Sequence, residues 1–208
     1  MSSDPEEITA RRINIVDDNG VVRLRLFNGS SVPSVVLNGQ TVPRNVSMAG
    51  MAGFAFYNEG GEECGGLIYG NRRAILAFDQ YQQDEILGLS YHEGADGKRR
   101  YGFYVEQRPE IPMLQKLAIV EPVMAMDDGP DKTAAIQRLV EQGLWGDVPR
   151  VMIEKTAEGE AVLGLADSKG RTRVRMTVDA DDTPRIEFLD ASGEVTYRLP
   201  PDDPGALG

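Results

Sequence analysis

The richest run of chemically capable side chains is Asp79-Gln80-Tyr81-Gln82-Gln83-Asp84-Glu85. Two carboxylates at this spacing can trade a proton, and a tyrosine between them can orient a ligand. His92, the single histidine, follows closely and can join them as a general base. Asp79, Tyr81, Asp84 and His92 therefore form the candidate catalytic set. The same residues also describe a wide, solvated turn and an ordinary polar strand end. Nearby aromatics, Phe54, Phe56, Tyr57, Tyr69, Phe78 and Tyr81, could line a small-molecule pocket, with Tyr57, Tyr69 and Phe78 the leading candidates. Alternation alone could equally bury them as core.

Other features fall short of a known chemistry. Cys64 stands between Glu62-Glu63 and Gly65-Gly66, and neighbouring carboxylates hold a thiol protonated. A packed strand cysteine fits it better than a nucleophile. Asp17-Asp18-Asn19-Gly20 and Asp179-Ala180-Asp181-Asp182 resemble pieces of calcium loops, yet the twelfth positions are Asn28 and Asp190 rather than glutamate. The paired glycines lack the Lys-Ser/Thr ending and following helix of a phosphate loop. Arg171, Arg173 and Arg175 alternate along one strand face, as do Arg23 and Arg25, which reads as a solvated face paired to carboxylates across strands. No metal site and no cofactor are expected.

The elements that must position these residues come from a repeat. Ile13-x-Ile15-x-Asp17-x-x-Gly20 recurs as Phe54-x-Phe56-x-Asn58-x-x-Gly61, Leu163-x-Leu165-x-Asp167-x-x-Gly170 and Ile186-x-Phe188-x-Asp190-x-x-Gly193, with a degenerate copy from Ile75 to Gln82. Alternating apolar residues make one face of a strand. Asp or Asn then opens a turn, and glycine supplies the positive φ that closes it. A second alternating run completes a β-hairpin. Asn38-Gly39 and Gly94-Ala95-Asp96-Gly97 mark further hairpins.

Units such as residues 165–200, "LADSKGRTRVRMTVDADDTPRIEFLDASGEVTYRLP", resemble hairpin repeats of uncharacterised bacterial proteins. The segment 53–70, "GFAFYNEGGEECGGLIYG", with "LAFDQYQQDE" at 76–85, resembles the middle of one such group. The resemblance implies a repeated β architecture and carries no activity with it.

The expected fold is mainly β: tandem antiparallel hairpins forming a barrel- or prism-like meander, with one short helix over 131–142. The expected division is a flexible N terminus (1–10), an N-terminal β-hairpin region (11–123), a helical connector (124–149), a C-terminal β-hairpin region (150–199) and a flexible tail (200–208). Composition narrows the function. The chain has 208 residues and a net charge of -11, which disfavours nucleic acid and anionic membrane surfaces as partners. One cysteine excludes an internal disulfide. No signal peptide or apolar membrane span is apparent, so a cytoplasmic location is expected. Strands such as Phe54–Tyr57 and Leu67–Tyr69 are apolar on both faces, which suits burial between sheets or subunits. The leading expectation is a non-enzymatic, homo-oligomeric binding or assembly module. An enzyme or small-molecule binder centred on residues 79–92 is the alternative.

Overall fold

Asp17 shows how one turn is built. Its N–H donates to the Val21 carbonyl and its carbonyl accepts the Gly20 N–H, both at 2.9 Å. Its Oδ1 also accepts the N–H groups of Asn19 and Val21. Gly20 sits at φ +80°, where a β-branched residue is strongly disfavoured. Asn58, Asp167 and Asp190 repeat every part of this arrangement, with Gly61, Gly170 and Gly193 at positive φ. The same pair of backbone bonds closes 94–98, 156–160 and 179–183. In the degenerate copy it closes 80–84, one residue later than the spacing implies, and the positive φ falls on Gln82.

The computed structural model describes residues 7–42, 49–146 and 148–201. Its strands are β1 (Arg12–Val16), β2 (Val22–Asn28), β3 (Val35–Leu37), β4 (Gln40–Val42), β5 (Ala52–Tyr57), β6 (Glu63–Tyr69), β7 (Arg73–Asp79), β8 (Glu85–Glu93), β9 (Arg99–Gln107), β10 (Val148–Lys155), β11 (Ala161–Ala166), β12 (Thr172–Val178), β13 (Pro184–Leu189) and β14 (Val195–Leu199). Helices α1 (Met113–Met124) and α2 (Pro130–Glu141) stand between β9 and β10. Short turns pair most strands antiparallel with the next, and the longer connections from β2 to β5 and from β9 to β10 also return antiparallel, so twelve strands form one meander in the order β1-β2-β5 and then β6 through β14. The mainly β, antiparallel expectation is met. The sheet is open, with β1 and β14 as its edges.

Two departures from the sequence expectation matter. The hairpin at Asn38-Gly39 leaves the main sheet and forms its own two-stranded ladder, β3–β4. The connecting stretch brings Val32 and Met51 onto a small core of Phe27, Ala55 and Tyr57. The Asn38 N–H donates to Glu62 Oε1 at 2.7 Å and ties the hairpin tip to the β5–β6 turn. The second departure is a helix. The expected segment near 131–142 is α2, but α1 precedes it, so there are two helices rather than one. α1 lacks a side-chain cap, has apolar residues around much of its circumference, and carries Pro122 inside it, so neither periodicity nor a start signal betrays it. The helices pack against each other, with Ala135 and Leu139 of α2 buried.

Candidate functional site

Register turns the alternation of single strands into rows across the sheet. One row runs Ile13, Leu26, Phe54, Leu67, Leu76, Leu89, Phe103, Ile153, Leu163, Met176, Ile186 and Leu199. The next row on the same face runs Ile15, Leu24, Phe56, Gly65, Phe78, Leu87, Val105, Val151, Leu165, Val174, Phe188 and Tyr197. Neither row holds a charged residue. Across Gly65 the rings of Phe56 and Phe78 stack at 6.1 Å between centroids, and Phe188 meets Tyr197 at 5.9 Å. In the single chain this face is open to solvent. Leu26, Phe78, Leu89, Ile153, Leu165, Met176, Phe188 and Tyr197 are between 39% and 53% exposed. A trough of 550 Å³ lies over Ile153, Leu163, Met176 and Ile186 at the C-terminal end.

The opposite face changes character along the sheet. Its central row reads Asn14, Arg25, Ala55, Gly66, Ala77, Gly88, Tyr104, Met152, Gly164, Arg175, Glu187 and Arg198. In the first part small residues predominate, and Tyr104 lies across Gly88, where a Cβ would sit 2.6 Å from its hydroxyl. In the last part Glu187 is buried between Arg175, 2.5 Å away, and Arg198, 2.9 Å away. The hydrogen bond from Arg175 holds the Glu187 carboxyl below its ordinary range, with Arg198 adding to it and burial opposing. Arginine Nε groups also donate to the carbonyl just before a turn: Arg23 to Tyr57, Arg150 to Ala166 and Arg173 to Leu189. The alternating arginines are thus part of a charged, solvated ladder, as their sequence pattern indicates.

The acidic turn gathers part of the candidate catalytic set. Carboxylate oxygens of Asp79, Asp84 and Glu85 lie within 4.8 Å of one another, close enough to hold a cation between them. Burial pushes the Asp79 pKa up to about 7, reinforced by Glu63 and Asp84, while Arg108 works the other way. Glu85 is raised as well, first by burial and then by Asp84. The turn is strapped to the chain leading into α1. The Met113 N–H donates to the Gln82 carbonyl at 2.7 Å, the Gln83 amide donates to the Ile111 carbonyl, and Arg108 Nε donates to the Glu85 carbonyl. Tyr81 is 71% exposed, and its hydroxyl accepts a hydrogen bond from the Gln82 amide. His92 pairs with Arg73 and Arg100 at the far end of the β7–β8 hairpin. Six residues of strand, about 20 Å, separate it from Asp79. Asp79 and Asp84 therefore meet, Glu85 joins them, and Tyr81 and His92 do not.

The aromatic candidates divide between the faces. Tyr57 is buried on the mixed face beneath Arg25, whose guanidinium carbon lies 5.4 Å from its ring centre. Tyr69 and Phe78 stand exposed on the apolar face, so the three line no common pocket. Cys64 is partly buried, and burial followed by Asp79 raises its thiol pKa, against a nucleophilic role. Glu85 is the acidic-site residue that the sequence pattern alone does not single out. Its adjacency to Asp84 is visible there, but its pairing opposite Asp79 depends on the bulge in the β7–β8 register. Among the described residues no helix is long and apolar enough to cross a membrane. Comparison with known protein families and with curated proteins finds no match.

Proposed function

We propose that the protein is a non-enzymatic assembly module whose chain completes its core by associating with further copies of itself. The observation that supports this reading is a missing interior. Only eight apolar residues among those described are buried, and no large side chain is fully buried. A hydrophobic sheet face left in water forfeits the main favourable term of folding. Covering that face with its own copies gives a prism-like form its walls, one sheet from each chain, whereas a closed barrel would need the edges β1 and β14 to pair. Light scattering tests this directly. A mass that is a whole multiple of 22.8 kDa, retained at high salt, is the expected result. A mass of one chain at every concentration sinks the proposal.

A second reading is favoured by one observation, the cluster of Asp79, Asp84 and Glu85 with Asp79 held near neutrality. Such a group exchanges protons at ordinary pH and suits a small-molecule site with acid–base character. A ligand that raises the melting temperature of the parent but not of Asp79→Asn would support it. Identical shifts in both would remove it.

A further inference from the structure

The assembly reading leaves open which surface joins the copies, and the sheet offers two kinds. One is its pair of edges, β1 and β14, with unpaired backbone groups that can extend the ladder into a neighbour. The other is the apolar face. Resting on the assembly reading, we infer that the face, not the edges, is the interface, and that its occupant is the same face of another copy.

Three observations select this occupant. The first is area. The two apolar rows offer twenty-four positions across twelve strands, where an ordinary stable interface takes roughly 20–30 residues, or about 800 Å², from each partner. An edge contact uses a single strand, and β14 has only five residues. The second is chemistry. Twenty-four register positions in two adjacent rows carry no charge, and the half-exposed ones include Leu26, Leu89, Leu165, Met176 and Phe188. A surface so uniform has few polar groups with which to select an unlike partner, whereas an equally apolar face complements it, as in obligate interfaces that resemble a core cut in half. The third is the other side of the same strands. Glu187 is held by Arg175 and Arg198 on the mixed face, so β12–β14 turn their charged side to water and their apolar side to the neighbour. Two such faces pack about 10 Å apart with interdigitated side chains, the geometry of a β-sandwich built from two chains.

The experiment uses the full chain. Leu165→Glu and Phe188→Glu place a charge on the C-terminal part of the face, on β11 and β13, at positions half-open in the single chain and so tolerant of polarity there. Each is expected to weaken association by roughly 100-fold or more, giving a mass of 22.8 kDa with an unchanged circular dichroism spectrum. Thr196→Pro alters the β14 edge at the extra residue of its bulge and is expected to leave the mass unchanged. Independently of any variant, hydroxyl-radical oxidation of Met176 in the parent should be slow at high protein concentration and speed up on dilution. If the parent is oligomeric but dissociates through Thr196→Pro and not through the two glutamates, the edges carry assembly. The face is then wrong while the assembly reading stands. Met176 oxidised in an oligomeric parent as fast as Met124, which is 47% exposed on α1, likewise rules out the face and spares the assembly reading. A monomeric parent overturns both.

Discussion

The two parts of the sheet treat the same face differently. In β1–β9 the mixed face is small and apolar at its centre, and the stretch around β3–β4 folds onto it to bury Phe27, Ala55 and Tyr57. In β10–β14 that face is a ladder of arginines and glutamates. The acids follow suit. Asp79 and Glu85 in the first part are raised by burial, whereas Asp167 and Glu187 in the second are lowered by hydrogen bonds from arginine. The first part thus covers that face locally, over β2, β5 and β6, and the second carries charged side chains there. What they share is the other face, apolar along its whole length, and the assembly proposal rests on this common feature.

Three sets of substitutions sharpen that comparison. Gly66 and Gly164 occupy the same row in the two parts. A Cβ on Gly66 would run into the Phe54 carbonyl oxygen, while the nearest atom to one on Gly164 is Met152 Cε at 3.9 Å. Urea denaturation should show Gly66→Ala destabilised by about 3 kcal/mol and Gly164→Ala unchanged or stabilised by about 0.5 kcal/mol. Equal effects would mean the strands of the two parts are spaced alike.

The next effect depends on pH. Asp79 has a folded pKa near 7, above its ordinary 3.8, so protonation favours the folded state. Its contribution is fully present below the ordinary value and is lost as pH rises through about 7. Asp79→Asn should therefore melt like the parent near pH 4 and be more stable at pH 8, by about 2–3 kcal/mol. Glu187 has the opposite sign. Its contribution is present above its ordinary 4.5 and is lost as pH falls through its lowered folded value. Glu187→Gln should accordingly lose its deficit relative to the parent in acid. Melting curves of both variants at pH 4 and pH 8 check the pair, and shifts of the same sign would break the contrast.

The smallest effect compares two turns of identical design. Gly20→Val and Gly170→Val both force a β-branched residue to positive φ, at a cost of about 1 kcal/mol. A Cβ at Gly170 also presses on Pro149 Cδ at 3.0 Å, whereas Gly20 has open space around it. Thermal denaturation should rank Gly170→Val below Gly20→Val by about 1 kcal/mol. If both melt like the parent, the turn assignment fails.

Much of the architecture is legible in the sequence, because its causes are local. An Asx side chain accepting two N–H groups and a glycine at positive φ act within five residues, so Asp17, Asn58, Asp167 and Asp190 announce their turns. Short turns between alternating strands then entail antiparallel hairpins, while the pairings of β2 with β5 and of β9 with β10 span longer connections. The acidic site is half legible. Asp79 and Asp84 belong to one turn, so their meeting is local, whereas His92 is near only along the chain and a strand carries it away. α1 is hidden by its uniform apolarity and Pro122.

By itself, then, the sequence determined the hairpins, their order and the alternation that sorts residues into two faces. Only the tertiary structure decided which rows the register assembles, that β3–β4 leaves the sheet, that Tyr57 is buried while Tyr69 and Phe78 are not, and that Glu85 joins Asp79. The physical reason is range. Alternation states that Leu165 and Leu163 share a side of one strand, but what lies over that side depends on segments far away in sequence, and this chain's own fold leaves Leu165 41% exposed.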